Sequence, residues 1–302
     1  MPEDLRIGII GFDTSHVTAF TKLLNDASDP FHVPGGKVVA GLPTFSADIE
    51  SSISRVDGYQ RELTGKYGVT LAASVEDLVG QVDAVLLESL DGRRHLVEAA
   101  PVIRAGKPLF IDKPLAASYA DAAAIVRLAQ EHNCPLFSSS SLRFDANIVR
   151  LKEETGALLS CDAFGPASLE PTNPGLFWYG IHAVEILYTF MGPGCRKVRC
   201  HHKAHYDVVV GDWEGDRLAT LRGTRRGAAD YGATVFGEKK VAQTTYSRDI
   251  PIYSQLLKQI VPFFHGAPAP VAPAETLEIM AFIQAALISE REEREVTLAE
   301  VM

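Results

Sequence analysis

The stretch that most constrains the fold is 6–16, which reads Arg-Ile-Gly-Ile-Ile-Gly-Phe-Asp-Thr-Ser-His. The apolar run 7–10 predicts a buried first strand, and Gly11 predicts a tight turn from that strand into a helix. Such strands often continue as G-x-G-x-x-G, the pattern that cradles the phosphates of a dinucleotide. Only the first glycine of that pattern is present, because Asp13 and His16 stand at the other two positions. The start of the chain therefore predicts a dinucleotide-binding fold with an altered phosphate loop.

Strand and helix patterns alternate through the first ~120 residues, as expected for a parallel sheet covered on both faces. The predicted strands are 7–10, 37–42, 82–87, 109–111 and 136–138, and the predicted helices are 16–24, 74–78, 94–105 and 121–131. This order predicts an α/β fold, a doubly wound Rossmann sheet. We place this domain at 1–120, with 121–145 bridging back to its sheet.

A different pattern follows, which predicts a second domain at 121–302 of the α+β class. A helix is predicted at 180–190, and two further helices are predicted at 251–264 and 274–291. Between them, alternating runs flank the turn sequences Glu214-Gly215-Asp216 and Gly237-Glu238-Lys239, which are typical of hairpins. We therefore expect an open antiparallel sheet with helices in this domain.

Composition excludes several classes of partner. The formal net charge of −9 argues against nucleic acid or an anionic membrane, because both require a basic surface. No run approaches the roughly 18–20 apolar residues of a membrane span, and we expect no signal peptide. The four scattered cysteines fit reduced thiols better than a disulfide framework. We therefore expect a cytoplasmic protein with a small-molecule partner.

The strongest candidate for chemistry is a lysine that follows a short strand. The strand predicted at 109–111 continues as Asp112-Lys113-Pro114. This places Lys113 at the carboxyl edge of the sheet, where open α/β folds bind their ligands. The proline restricts the backbone and is compatible with a cis bond. A lysine there can hydrogen-bond a substrate hydroxyl or help to move its proton. The alternative is a solvated lysine at a strand end.

Motifs spread over nearly the whole chain point to one known family. They are Asp112-Lys113-Pro114-Leu115-Ala116, the strand 82–87 followed by His95 and by 105–108, the pair Arg143-Phe144, and the strand 231–239. Together they resemble the Gfo/Idh/MocA-type sugar and inositol oxidoreductases. The resemblance implies a Rossmann domain, an open-sheet domain, NAD or NADP as cofactor, and oxidation of a sugar, cyclitol or related polyol.

The resemblance also implies two catalytic residues. Lys113 matches the lysine that orients the reacting hydroxyl, and His182 matches the general acid/base of the family. In the family an aspartate precedes that histidine by four positions, whereas this chain has Trp178 there. Glu185, one turn further along the same helix face, is a candidate substitute for the missing carboxylate. The alternative is a structural histidine whose hydrogen bonds are merely satisfied at the N-terminus of a helix.

The cofactor contacts implied by the resemblance lie at the carboxyl ends of the first, fourth and fifth strands. They are Gly11, Phe12, Asp13, Thr14, Ser15, Glu88 and Asp112. Asp13 is expected to set a like charge near a pyrophosphate, whereas Thr14 and Ser15 offer hydroxyls and N–H groups at a helix start. The second strand ends without the acidic residue that holds an NAD ribose, and no arginine for a 2′-phosphate is evident. The choice between NAD and NADP stays open.

Two clusters of possible metal ligands offer an alternative to this interpretation. The first is an acidic sheet edge, which consists of Asp13, His16, Glu88, Asp91, His95 and Asp112. Carboxylates with imidazoles suit a divalent metal, but Asp13 and Asp91 are equally explained as helix caps. The second consists of Cys195, Cys200, His201, His202 and His205, whose spacing matches no standard zinc module. We therefore assign no metal site from the sequence.

Substrate contacts are expected from the second domain and the segment that leads into it. The candidates are Arg143, Glu170, Trp178 and Tyr179, which offer polar groups for hydroxyls and an aromatic face for a ring. We expect a homodimer or homotetramer formed through the open sheet face, because an unpaired apolar sheet is otherwise exposed. Two alternatives stay open on the same fold, a lyase-, epimerase-type or metal-assisted enzyme, and a non-catalytic sugar-binding or regulatory protein.

Overall fold

The computed structural model describes residues 4–302, and within that range it contains thirteen strands and ten α-helices. The strands are β1 Leu5–Ile10, β2 Gly36–Leu42, β3 Thr70–Leu71, β4 Ala84–Leu87, β5 Leu109–Asp112, β6 Leu136–Ser139, β7 Leu158–Pro166, β8 Cys195–Lys203, β9 Tyr206–Trp213, β10 Arg217–Thr224, β11 Gly232–Gly237, β12 Val241–Thr245 and β13 Val296–Thr297. The helices are α1 His16–Asn25, α2 Glu50–Ile53, α3 Val56–Tyr67, α4 Val75–Gln81, α5 His95–Arg104, α6 Tyr119–Glu131, α7 Ala146–Thr155, α8 Ile181–Met191, α9 Ile252–Phe264 and α10 Pro273–Glu292.

The first of two units contains the described residues up to 116 together with 120–138 and 253–273. Its six-stranded sheet has the order β3-β2-β1-β4-β5-β6, and β1 pairs in parallel with both β2 and β4. The inner strands are mainly apolar, and β4 and β5 are buried at every position because helices cover both faces of the sheet. The predicted doubly wound α/β fold is confirmed.

The second unit contains 117–119, 139–252 and 274–302. Its seven-stranded sheet has the order β12-β11-β7-β10-β9-β8-β13, in which β7 and β10 are parallel and the other pairs are antiparallel. Side chains from α8, β9 and α10 form an aromatic cluster beneath one face, where the rings of Tyr188, Trp213 and Phe282 lie 5.6–5.9 Å apart. The predicted α+β unit with an open sheet is confirmed, with one parallel pair added.

Both predicted hairpins are present. The β9–β10 turn places Gly215 and Asp216 at φ of +73° and +58°, the left-handed region that tight hairpin turns commonly use. By contrast, the sequence predicts no element within 146–166, where the structure has α7 and β7. The inward positions of β7 are Cys161, Ala163 and Gly165, whose small side chains give a weak alternating signal.

One C-terminal segment belongs to a different unit from the one expected from its position in the sequence. Residues 253–273, which hold most of α9, group with the first unit, although the sequence analysis placed them in the domain 121–302. Phe263 of this segment packs edge-on against Phe137 at a ring distance of 4.8 Å. None of the helices in the described range is long and apolar enough to cross a membrane.

Candidate functional site

The turn after β1 is fixed by a glycine that no other residue could replace without a backbone shift. Gly11 has φ of +87°, and a Cβ on it would lie 2.3 Å from the backbone nitrogen of Ser89. Phe12, the next residue, is fully buried, and its ring fills the space above Gly41. The strand therefore turns sharply and leads into α1 as the sequence predicts.

Asp13 is fully buried and is bonded within the first unit. Its Oδ2 accepts a hydrogen bond of 2.6 Å from the Ser52 hydroxyl, and its Oδ1 accepts one of 3.0 Å from the Leu90 N–H. Burial raises the pKa of Asp13, and the Ser52 hydrogen bond opposes that rise. Its carboxylate thus links the turn after β1 to α2 and to the loop after β4. The alternative that Asp13 caps α1 is wrong.

Replacing Asp13 with alanine should lower the free energy of unfolding by about 1–3 kcal/mol, because two donors would lose their buried acceptor. The measurement is urea unfolding of the full chain, followed by far-ultraviolet circular dichroism. Asp57→Ala is the control, since Asp57 is an exposed carboxylate in α3 of the same unit, and its removal should cost at most about 0.5 kcal/mol. Equal losses in the two variants would contradict the role given to Asp13.

Two more members of the predicted acidic edge are also bonded elsewhere. The Asp91 carboxylate accepts hydrogen bonds from the Ser46 hydroxyl at 2.7 Å and from the N–H and guanidinium of Arg93. The ring nitrogens of His95 lie 2.7 Å from the Ser89 carbonyl oxygen and 3.2 Å from that of Leu115. The expectation that six acidic and imidazole side chains converge is therefore wrong for Asp13, Asp91 and His95.

The other three, His16, Glu88 and Asp112, do converge. His16 Nδ1 lies 3.0 Å from Asp112 Oδ2 and 3.4 Å from Glu88 Oε2. Burial is the largest single influence and lowers the pKa of His16, but the interactions with Asp112 and Glu88 together outweigh it and raise that pKa to about 9. Burial raises the pKa of Glu88 to about 7, and the nearby His16 imidazole opposes that rise. The carboxyl ends of β4 and β5 and the start of α1 thus share one buried ionisable cluster.

Lys113 stands immediately beside this cluster, at the end of β5. Its Nζ lies 3.4 Å from Asp112 Oδ2, and the side chain is only 13% exposed. The Lys113–Pro114 peptide bond is cis, as the sequence allowed. The largely solvated lysine that the sequence left as an alternative is therefore wrong, and a partly buried ammonium occupies the ligand-binding edge of the sheet.

In the second unit, His182 lies in the first turn of α8. Its Nδ1 is 2.7 Å from the hydroxyl of Ser140, a residue that the sequence analysis did not single out. Trp178, at the position of the expected aspartate, is half-buried and packs edge-on against Tyr179 at 6.1 Å. The His182 imidazole is thus paired with the Ser140 hydroxyl instead of with the expected carboxylate.

Glu185, the predicted substitute for that carboxylate, binds Arg143 instead. Glu185 Oε2 accepts a hydrogen bond of 2.8 Å from Arg143 Nε, and Glu275 Oε1 accepts one of 2.6 Å from Arg143 Nη1. All three side chains are mostly buried, with exposures of 10%, 2% and 18% for Arg143, Glu185 and Glu275. Arg143 Nη2 is also buried and has no hydrogen-bond partner among the described residues. The prediction that Glu185 serves His182 is wrong.

Glu170 lies at a cavity of about 420 Å³ in the second unit. Its carboxylate accepts hydrogen bonds from the N–H and hydroxyl of Thr172. The described lining of this cavity includes Glu170 and His202 but not Arg143, Trp178 or Tyr179. The structure therefore places Glu170 apart from the other three predicted substrate residues, whose role stays a prediction.

The predicted cysteine and histidine cluster does not assemble as one group. Cys200 groups with the carboxylates of Asp207 and Glu290, and His202 Nδ1 lies 2.6 Å and 3.3 Å from the same two carboxylates. Asp207 is already paired with the Arg225 guanidinium, and burial raises the pKa of the Cys200 thiol to about 12. His205 instead contacts Arg226 at 3.2 Å. The Cys200 thiol is thus protonated and lies beside a carboxylate that is already paired with a guanidinium.

Comparison with known proteins gives a consistent picture. Residues 5–140 match the family model GFO_IDH_MocA, described as "Oxidoreductase family, NAD-binding Rossmann fold". An inositol 2-dehydrogenase of Cereibacter sphaeroides is 28% identical over 183 residues, which cover 57% of this chain and 48% of that protein. The matched part of the chain thus spans about half the length of the curated relatives.

Solved structures resemble the chain over almost its whole length. A probable dehydrogenase of Thermotoga maritima is 22% identical, with a TM-score of 0.81, and the match covers 98% of this chain and 100% of that one. The myo-inositol 2-dehydrogenase of Lactobacillus plantarum is 15% identical, with a TM-score of 0.79, and the match covers 98% and 99% of the two chains. At these identities the likeness shows a shared fold.

Proposed function

We propose that this chain is a member of the Gfo/Idh/MocA oxidoreductase family, whose model matches residues 5–140, and that it is an NAD(P)-dependent oxidoreductase acting on a sugar, a cyclitol or a related polyol. The observation that carries the proposal is the partly buried Lys113 ammonium at the carboxyl edge of an NAD-binding sheet. The inositol 2-dehydrogenase relatives support a polyol as the substrate class.

The residues of the first unit fit the pyrophosphate of a dinucleotide. Gly11 makes the tight turn, and the first turn of α1 offers backbone N–H groups near Thr14 and Ser15. The Asp13 carboxylate is bonded to Ser52 and Leu90, so its oxygens are engaged inside the protein. We propose that Gly11, Thr14 and Ser15 hold the pyrophosphate, and that Phe12, Asp13, Glu88 and Asp112 support this edge. The nicotinamide, when bound, exchanges hydride with the substrate carbon.

The chain's own residues would position the substrate and move its proton. We propose that Lys113 Nζ donates a hydrogen bond to the reacting hydroxyl oxygen and stabilises the negative charge that develops there. His182 would accept the hydroxyl proton at Nε2, because its Nδ1 is engaged by Ser140. Arg143, Trp178, Tyr179 and Glu170 stay the candidate substrate contacts.

The proposal is tested by calorimetric titration of the purified full chain with NAD⁺, NADH, NADP⁺ and NADPH, together with an ultraviolet spectrum for co-purified nucleotide. We expect binding of at least one of the four, followed by reduction of the bound cofactor with a cyclitol or sugar. If no nucleotide binds and none co-purifies, the proposed activity is wrong.

Ser140→Ala should lower kcat by about tenfold and leave KM nearly unchanged, because the imidazole would lose the group that fixes its orientation. The pH profile of kcat should shift as well, which a purely structural loss would not cause. Ser139→Ala is the matched control, since the neighbouring hydroxyl of Ser139 bonds the Ser140 carbonyl oxygen and not the histidine. Identical profiles for Ser140→Ala and the unmodified protein would contradict this role of Ser140.

We further propose a homodimer or homotetramer formed through the outer face of the second sheet. The strand register places apolar side chains on this face. Val210 pairs with Thr220 and Phe236 pairs with Val241, and these side chains alternate with the buried residues of their strands. Leu218 and Val241 are 52% and 63% exposed. Light scattering of the purified chain measures the assembly directly, and a monomer at micromolar concentration would contradict it.

A further inference from the structure

We propose that His16, Glu88 and Asp112 bind one divalent transition-metal cation, through His16 Nδ1 and one oxygen of each carboxylate. The three side chains come from the start of α1, the residue after β4 and the last residue of β5. All of them lie within the first unit. Cation binding can be measured without cofactor or substrate, so its test does not depend on the proposed dehydrogenase activity.

The spacing of the ligand atoms matches a coordination shell. The three atoms all lie within 4.8 Å of one another, and Nδ1 is 3.0 Å from Asp112 Oδ2 and 3.4 Å from Glu88 Oε2. Metal–ligand bonds of about 2.1 Å separate neighbouring ligand atoms by about 3.0 Å at a right angle and about 3.4 Å at the tetrahedral angle. Both measured pairs therefore have the separation of adjacent ligands on one ion.

The second observation is the state of Glu88, whose side chain is fully buried. Neither of its carboxylate oxygens has a hydrogen-bond partner among the described residues, and His16 Nδ1 has none either. An ionised carboxylate buried in this way is costly unless it is paired or coordinates a metal. A cation bound between the three side chains would give a partner both to the Glu88 carboxylate and to His16 Nδ1.

The His16 ring is held in a fixed position by its neighbours. It stacks on Phe20 at a centroid distance of 5.7 Å and lies against Tyr253 at 4.7 Å, both within the first unit. A ligand that is already oriented loses little conformational entropy when the cation binds. The imidazole nitrogen therefore stands beside the carboxylates before any ion arrives.

The donor set indicates the class of cation. One imidazole and two carboxylates suit Mn²⁺, Fe²⁺ or Zn²⁺ better than Ca²⁺, which prefers six to eight oxygen ligands. Three protein ligands leave coordination positions open for water or for the oxygen of a bound molecule. Because Asp112 also contacts Lys113, the cation would share this carboxylate with the proposed substrate-orienting lysine.

The competing arrangement is a protonated His16 that neutralises the two carboxylates without an ion. Mn²⁺ distinguishes the two, because it must displace that proton and bring the nitrogen into its coordination shell. The full chain, stripped with a chelator, is titrated with MnCl₂ and with ZnCl₂ by calorimetry. We expect one ion per chain, and electron spin echo spectra of the bound Mn²⁺ should show coupling to one imidazole nitrogen.

Glu88→Gln should weaken Mn²⁺ binding by at least about tenfold, since it removes one ligand charge. Glu290→Gln is the matched control, because Glu290 belongs to the separate group with Cys200 and Asp207, and it should bind as the unmodified chain does. If Glu88→Gln does not fold, Asp112→Asn and the nitrogen coupling of the unmodified protein give the same test. No stoichiometric binding, no nitrogen coupling, or a loss confined to Glu290→Gln would each overturn the proposal.

Discussion

Lys113→Met should lower kcat/KM for oxidation of the polyol by about 10²- to 10³-fold, the range expected when a hydrogen-bond donor to a developing negative charge is removed. The expectation rests on the position of the ammonium, which is 13% exposed and 3.4 Å from Asp112 at the end of β5. A hydrogen bond from a partly desolvated ammonium stabilises the developing alkoxide more than one in bulk water does. Methionine keeps an unbranched side chain that is one atom shorter, and removes the charge together with its hydrogen-bond donors.

The measurement is steady-state formation of the reduced nicotinamide with the substrate identified from a panel of cyclitols and sugars. Lys37→Met is the control, because Lys37 belongs to the same unit, is 56% exposed and pairs with Asp4, which is 44% exposed. It should leave kcat/KM unchanged within about twofold. Full turnover by Lys113→Met would remove Lys113 from the mechanism.

Much of the fold was predictable because it depends on local patterns. The strand and turn at Gly11 follow from an apolar run that ends in a glycine, and the β9–β10 hairpin follows from Glu214-Gly215-Asp216 between alternating runs. The strand β7 could not be predicted in this way, although it is an interior strand of its sheet, between β11 and β10. Its buried residues are small, so its identity depends on neighbouring strands that the local sequence does not show.

The sheet-edge cluster was predictable only in part, for a different reason. The sequence shows which residues follow strand ends, but the direction of each side chain depends on loops that are remote in sequence. Ser52 and Ser46 bind Asp13 and Asp91, and thereby separate these carboxylates from His16. No comparable partner reaches Glu88 among the described residues, so it stays with His16 and Asp112.

The partner of His182 shows the limit of reasoning from helix spacing. Glu185 lies three positions further on α8, a separation that places two side chains next to each other on the same face of a helix. Glu185 is instead paired with Arg143, which donates a charge-assisted hydrogen bond to its carboxylate within the same unit. The hydroxyl that does contact the imidazole belongs to the serine run 138–141, which carries no spacing signal.

Arg143→Met should lower the free energy of unfolding of the second unit by about 3–5 kcal/mol, because it leaves two buried carboxylates without their shared cation. Glu185 is 2% exposed and Glu275 is 18% exposed, and both lose a charge-assisted hydrogen bond. Burial already raises the pKa of Glu185, with the Arg143 charge acting against that rise. Without the guanidinium, one of the two carboxyls should be protonated in the folded state.

The two tryptophans of the chain, Trp178 and Trp213, both lie in the second unit, so their fluorescence during urea unfolding reports on that unit alone. Arg150→Met is the control, since Arg150 is 65% exposed and lies 3.9 Å from Glu154 on α7, and its loss should cost at most about 0.5 kcal/mol. The double variant Arg143→Met/Glu185→Gln should recover part of the stability, because it removes one of the two stranded charges. A raised KM with unchanged stability in Arg143→Met would instead favour the predicted substrate contact, since the Nη2 group would then act on the polyol rather than on the fold.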